Sequence, residues 1–80
     1  MSKTPYTDKQ GQYLAFIHLY TKLNRQAPAQ ADMQRYFQVT PPSVHNMVVQ
    51  LERKGLISRV HRTPRSICVL LPIDQLPELR

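Results

Sequence analysis

The sequence has very few of the residues on which several large protein classes depend. It contains no tryptophan, two glycines and one cysteine among 80 residues. A single cysteine excludes a disulfide framework within the chain and favours a reducing compartment. Two glycines exclude a glycine-rich phosphate loop, and no stretch approaches the roughly 18 apolar residues of a membrane span. Without the apolar segment of a signal peptide at its start, the chain is expected to be one small cytoplasmic domain.

Acidic residues are also scarce, and they are unevenly distributed. Five Asp and Glu stand against eleven Lys and Arg, which gives a net charge of +6. No acid lies between Glu52 and Asp74, whereas five cations lie in that interval: Arg53, Lys54, Arg59, Arg62 and Arg65. A localised basic segment on a nearly neutral chain is typical of proteins that bind a polyanion. The alternative is a solvated basic surface that only maintains solubility.

Candidate catalytic and metal-binding sets are absent from the sequence. The five acids are scattered and form no carboxylate pair. His45 and His61 are sixteen positions apart, and with Cys68 they do not match the spacing of a metal-ligand set. His18 is expected at the surface or at the edge of the core. We therefore expect a protein that is not an enzyme and that needs no metal, cofactor, membrane or small-molecule ligand.

Apolar periodicity predicts two helices in the first half of the chain, at about 8–25 and 30–37. Thr7 and Gln10 form a capping box at the start of the first helix, and Gly11 is a weak point in it. The second helix begins weakly, because Ala29 is a poor cap. The first helix has an apolar stripe made by Tyr13, Phe16, Ile17 and Tyr20, broadened by Leu14 and Leu23.

A third helix is predicted at about 41–54. Thr40 is the expected N-cap, and Val39 and Val44 occupy the two positions of a hydrophobic staple. Two prolines follow the cap, where the first backbone N–H groups of a helix have no partner within it. Gly55 is expected to close the helix in a left-handed conformation. The core-facing positions of this helix are Val44, Met47, Val48 and Leu51.

After Gly55 the pattern changes to two β-rich runs, at about 57–62 and 66–71, separated by the basic turn Thr63-Pro64-Arg65. The tail, residues 72–80, could either dock as a helical turn or fray. The predicted fold is mainly α with a small β-hairpin: a winged helix-turn-helix of three helices and a β wing, in a single domain spanning residues 1–80.

The sequence resembles the winged-helix DNA-binding domain of the LexA repressors over residues 7–71. The resemblance is carried by T-D-K-Q at the first helix, A-P-A-Q-A-D-M-Q-R-Y-F at the second, P-P-S-V-H-N-M-V-V-Q-L-E-R-K-G-L-I at the third and R-S-I-C-V-L-L in the wing. LexA repressors also carry a self-cleaving domain that dimerises them. The 80 residues contain no counterpart of it, so we expect a stand-alone domain and transfer neither self-cleavage nor that dimer interface.

The resemblance makes residues 41–54 the recognition helix, and helical geometry then indicates its outward face. Asn46 and Gln50 carry the donor–acceptor pair that suits adenine in the major groove, and Val49, apolar and aimed at solvent, suits a thymine methyl group. Ser43 can donate to a phosphate or a base edge. The candidate DNA-binding residues of this helix are Thr40, Pro42, Ser43, His45, Asn46, Val49, Gln50 and Arg53.

The wing and its flank supply contacts that do not depend on base sequence. Arg65, at the tip of the predicted turn, is the best candidate to contact phosphate or to enter the minor groove. The full set of wing and flank candidates is Lys54, Arg59, His61, Arg62 and Arg65.

These features predict a bacterial, nucleoid-associated regulator or repressor that binds double-stranded DNA in a sequence-specific manner, as one copy or as a homodimer on DNA. The alternative is a winged helix that serves as a protein–protein adaptor without a DNA target, because fold does not determine function. The matched base-reading positions hold different side chains from those of the family, so the family's operator is not transferred to this chain.

Overall fold

The computed structural model describes residues 5–80. In this range the chain forms α1 (Asp8–Asn24), α2 (Gln30–Phe37), α3 (Pro41–Arg53), β1 (Ile57–Ser58), β2 (Cys68–Val69) and a 3₁₀ turn (Ile73–Gln75). The two strands pair antiparallel, so the predicted order of three helices and a hairpin is confirmed. None of the helices in the described range is long and apolar enough to cross a membrane.

Helix α1 is the central element, because its first half is enclosed on all sides. Every residue from position 10 to position 17 is buried, whatever its polarity. The tail, residues 72–80, contacts α1 through Gln12. Gln12 Nε2 donates to the Glu78 carbonyl at 2.9 Å, and the Arg80 N–H donates to Gln12 Oε1 at 2.8 Å. An Arg80–Asp8 ion pair of 2.6 Å closes the end of the tail. The tail therefore docks against the body of the domain.

The apolar core lies between α1, α2, α3 and the hairpin. The ring of Tyr13 stacks on that of Phe37, with centroids 4.1 Å apart. The predicted stripe of α1 is confirmed except for Leu23, whose side chain is 79% exposed, because the last turns of α1 extend beyond the elements that cover its first half. The buried cluster consists of Tyr13, Leu14, Phe16, Ile17, Met33, Val44, Val48, Leu51, Leu56, Ile57 and Ile67.

The ends of α1 and the start of α2 follow the predicted capping with one difference. Thr7 and Gln10 form the capping box of α1. Helix α1 ends at Asn24, one residue before the predicted end, because Arg25 adopts a left-handed conformation with φ of 57°. Ala29 provides no side-chain cap for α2, as predicted. The reciprocal half of a capping box is present, because the Ala29 N–H donates to Asp32 Oδ2 at 2.8 Å.

Helix α3 begins with its two prolines at the first helical positions. Thr40 is the N-cap in its backbone conformation, with φ of −78° and ψ of 158°, but its side chain makes no capping hydrogen bond. At the other end, Gly55 has φ of 75°, and the Leu56 N–H donates back to the Leu51 carbonyl at 3.0 Å. This bond is the Schellman closure that the glycine predicts.

The predicted strands 57–62 and 66–71 are too long. Strand pairing is limited to Ile57 with Val69 and Ser58 with Cys68. Beyond these two pairs, a side chain takes the place of backbone pairing: the Val60 N–H donates to Ser66 Oγ at 2.9 Å and not to a carbonyl of the opposite strand. Arg62 and Arg65 then have positive φ angles of 65° and 56°, a conformation that a regular ladder does not accommodate. The outer part of the wing is consequently an irregular loop.

Candidate nucleic-acid interface

The core contacts of α3 determine which of its faces is outward. Val44, Val48 and Leu51 are fully buried, and Met47 packs partly buried against the same cluster. The outward positions of the helix are exposed: Pro42, Ser43, His45, Asn46, Gln50 and Arg53. The structure thus places six of the eight predicted recognition-helix residues together on one exposed surface, which we call the α3 face.

Thr40 and Val49 complete the predicted set. Thr40 is exposed, and its Oγ1 lies 2.9 Å from Ser43 Oγ. Val49, predicted to be aimed at solvent, is half-buried and therefore less exposed than its neighbours on this face. Part of its apolar surface remains accessible.

The polar groups at the centre of the α3 face are available to a ligand. Within residues 5–80, the side chains of Asn46 and His45 make no hydrogen bond and no ion pair. Gln50, which shares this face, is different: its Oε1 accepts a hydrogen bond from Gln10 Nε2 at 3.2 Å. The same Gln10 side chain is buried at the start of α1 and also accepts from Lys54 Nζ at 2.9 Å.

Two of the predicted wing contacts are occupied within the protein. Glu52, in the last turn of α3, bonds Arg59 Nε through Oε1 at 3.1 Å and approaches His61 Nε2 through Oε2 at 3.2 Å. The Arg59 side chain is only 15% exposed. The hydrogen bond from Arg59, supplemented by the one from His61, lowers the pKa of the Glu52 carboxyl below its ordinary value. These contacts join the wing to the recognition helix.

The Arg65 side chain, in the predicted turn, is also paired within the protein, although it remains 38% exposed. Its Nη1 lies 3.1 Å from the Tyr20 hydroxyl, 3.2 Å from the Ala27 carbonyl and 3.2 Å from Asp32 Oδ2. Asp32 accepts the Ala29 N–H as well, and that backbone hydrogen bond, with the nearby Arg65 charge, lowers the pKa of its carboxyl. In the free protein, Asp32 and two oxygens of the body hold the Arg65 guanidinium. That Arg65 contacts phosphate or enters the minor groove stays a prediction.

Three of the five cations in the basic segment remain without a carboxylate partner. Within the described chain, the side chains of Arg53 and Arg62 have no hydrogen-bond or ion-pair partner, and the Lys54 ammonium donates only to the neutral amide of Gln10. All three are exposed. The net positive charge of this surface is consequently carried by the end of α3 and by one wing residue.

Other chemistry finds no site in the described residues. No group of three or more His, Cys, Asp or Glu side chains among residues 5–80 is arranged to hold a metal ion. Cys68 is exposed on the second strand, and its Sγ donates a weak hydrogen bond to the adjacent Val69 carbonyl at 3.7 Å.

Helices α2 and α3, joined by a short turn and followed by a β-hairpin whose strands contact α3 and α1, define a winged helix-turn-helix protein. The chain belongs to the LexA DNA-binding domain family, whose model matches residues 3–66.

Relatives with curated names agree with this family. The chain is 38% identical over 64 residues to a LexA repressor of Thermosipho melanesiensis and 36% identical over 64 residues to one of Thermosipho africanus. It is 35% identical over 63 residues to a LexA repressor of Thermotoga neapolitana. The alignments cover 79–80% of this chain but only 32% of each of these relatives. The chain thus spans about a third of the length of the relatives it matches.

Proposed function

We propose that this domain binds double-stranded DNA in a sequence-specific manner, inside the bacterial cell, and acts as a transcriptional repressor. The observation that carries the proposal is the α3 face itself. It combines the free polar side chains of His45 and Asn46 with the uncompensated charge of Arg53. The family, and relatives whose name is LexA repressor, support the same function.

In this proposal α3 enters the major groove, whose width admits a helix and whose base edges carry a distinct pattern of donors and acceptors. Asn46 is the main base-reading candidate, since its amide offers both a donor and an acceptor. Ser43 and His45 contact bases or phosphates beside it, and the accessible part of Val49 meets a thymine methyl group. Arg53 and Lys54 contact phosphates at the edge of the groove.

The wing has two kinds of residue in this proposal. Arg62 is exposed and unpaired, so it supplies the phosphate or minor-groove contact. Arg59, His61 and Arg65 hold the wing against the body through Glu52 and Asp32. They contribute to DNA binding by fixing the position from which Arg62 reaches the duplex.

Two copies on a pair of half-sites are part of the proposal. A single recognition helix with a short wing buries little surface, whereas tight specific binding needs a larger interface. Pairing on DNA would supply that area.

Fluorescence anisotropy with a labelled random duplex at low salt tests the DNA-binding claim. The informative variant is Arg53→Gln with Arg62→Gln, and the matched control is Lys22→Gln with Arg25→Gln. Both variants remove two exposed cations, and each includes one arginine with a left-handed backbone, of φ 65° or 57°. We expect the first variant to weaken binding at least about tenfold, because each phosphate contact releases counterions, and the control to bind nearly as well as the original chain.

Absence of binding to any duplex at low salt would overturn the proposal and leave the protein adaptor as the better hypothesis. Equal losses in the variant and the control would show that binding follows net charge and does not use the α3 face and the wing.

A further inference from the structure

The amide groups of Gln10 and Gln50 form a chain of hydrogen bonds between the buried start of α1 and the exposed α3 face. Gln10 is 4% exposed, whereas Gln50 lies at the surface. The two residues are 40 positions apart in the sequence. The network has the unusual property that the direction of every hydrogen bond in it is determined.

The direction is set at the α1 end. A backbone N–H can only donate, and the Thr7 N–H lies 3.0 Å from Gln10 Oε1. A lysine ammonium can only donate as well, and Lys54 Nζ lies 2.9 Å from the same oxygen. Two obligatory donors therefore identify this atom as the oxygen of Gln10, and the other end of its amide must be the NH₂ group.

The orientation of the Gln10 amide in turn determines the orientation of the Gln50 amide. Since Gln10 Nε2 can only donate, the Gln50 atom 3.2 Å away must be the carbonyl oxygen Oε1. The Gln50 Nε2 group is left at the outer end of the amide, and within residues 5–80 it has no hydrogen-bond partner. An isolated surface glutamine can turn its amide over freely, but this one is held in one of its two orientations.

We infer that Gln10 is a positioning residue for DNA recognition: it fixes the Gln50 amide so that Nε2 donates to a hydrogen-bond acceptor on the duplex. This inference rests on the proposed function. The acceptor is either a base atom in the major groove, such as N7 or O6 of guanine, N7 of adenine or O4 of thymine, or a phosphate oxygen. Gln10 contributes without touching the DNA.

The substitution Gln10→Glu should reverse the orientation of the Gln50 amide while keeping the hydrogen bonds from Thr7 and Lys54 to residue 10. The carboxylate still accepts from Thr7 and Lys54, and its second oxygen can accept but not donate. Gln50 then turns its Nε2 toward residue 10 and presents Oε1 to the duplex. Gln50→Glu should also present an acceptor to the duplex, because one carboxylate oxygen accepts from Gln10 Nε2 and the other faces outward. Gln50→Ala removes the contact.

The experiment is selection of bound sequences from a random duplex pool, followed by affinity measurement on the selected site, for the original chain, the three single variants and the double variant Gln10→Glu with Gln50→Ala. If a base is read, Gln50→Ala loses the preference at one base pair. Gln10→Glu and Gln50→Glu should then share a new preference at that pair, with at least about fivefold discrimination against the original base. In the Gln50→Ala background, Gln10→Glu should leave the base preferences unchanged.

If a phosphate is bound, Gln50→Ala weakens binding to all sequences without changing any base preference. The effect of Gln10→Glu on affinity should then be smaller in the Gln50→Ala background than in the original chain. The inference is overturned if Gln10→Glu and Gln50→Ala act independently, with additive effects on affinity and no change of preference by Gln10→Glu. A purely structural role for Gln10 would change the melting temperature but not the preferred base. Failure of the original chain to bind any duplex overturns the proposed function, which is a distinguishable outcome.

Discussion

The salt dependence of DNA binding distinguishes between the charges that the sequence contains and the charges that the folded protein can offer. Five cations lie between positions 53 and 65, and if all of them neutralised phosphates, log K would fall with log salt at a slope of about −4.5. Glu52 pairs with Arg59, and Asp32 pairs with Arg65. Three cations then remain, and the expected slope is about −2.7.

Arg62 and Arg65 provide the matched perturbation. Both are exposed residues of the wing loop with a left-handed backbone, at φ of 65° and 56°, so the same Arg→Gln change has a similar local cost at each. Arg62→Gln should reduce the magnitude of the slope by about 0.9 and leave the melting temperature unchanged. Arg65→Gln should lower the melting temperature, because Asp32 and the Ala27 carbonyl lose a donor, and should change the slope much less.

The assay is anisotropy with a random duplex at a series of salt concentrations, with thermal unfolding followed by circular dichroism. A slope near −4.5 for the original chain would contradict the internal pairing of Arg59 and Arg65. An equal loss of slope in Arg62→Gln and Arg65→Gln, without destabilisation by the latter, would show that Arg65 leaves the body to contact DNA.

Three further predictions concern the stability of the domain. Gly11→Ala should lower the melting temperature although alanine favours helices by about 1 kcal/mol, because the new Cβ would lie 2.7 Å from the Tyr6 ring and overpacking costs about 1–3 kcal/mol; a higher melting temperature would contradict the close packing. Leu51→Ala should lower the free energy of unfolding, measured in urea, by about 2–5 kcal/mol, because Leu51 is 0% exposed. The control Leu70→Ala should change this free energy little, because Leu70 is 54% exposed. Similar losses in both variants would refute the assignment of the core. The pKa of Asp32 is lowered from 3.8 in the folded chain, so its stabilising contribution is complete above pH 3.8 and is lost as pH falls through the lower folded value; Asp32→Asn should flatten the acid side of the stability profile, and an unchanged profile would count against its contacts.

The helices could be predicted from the sequence because their signals are local. The capping box of Thr7 and Gln10 and the glycine closure after α3 are each contained within a few residues. The strands could not be delimited in this way. β-rich composition marks residues that are able to pair, but the Ser66 hydroxyl takes the Val60 N–H and ends the ladder. No periodicity in the sequence indicates that a side chain will replace a strand partner.

The outward face of α3 could be predicted for a similar reason, since helical spacing fixes what lies opposite Val48 and Leu51. The hydrogen-bond and ion-pair partners of the charged and amide side chains could not be predicted from the sequence. Arg65 is 45 residues from Tyr20, and Gln50 is 40 residues from Gln10, so only the folded chain shows that these groups meet. Sequence reasoning assigned Gln10 to capping alone and gave no role to Glu52 or Asp32, which hold the wing.

The most direct test of the central claim is to record backbone amide chemical shifts of the ¹⁵N-labelled protein during titration with a short duplex at low salt. If α3 enters the major groove and the wing contacts the DNA backbone, the largest changes in chemical shift will fall between residues 43 and 54 and between residues 59 and 65. Changes confined to the C-terminal half of α1 and to residues 72–80, or no changes at saturating duplex, would contradict the account.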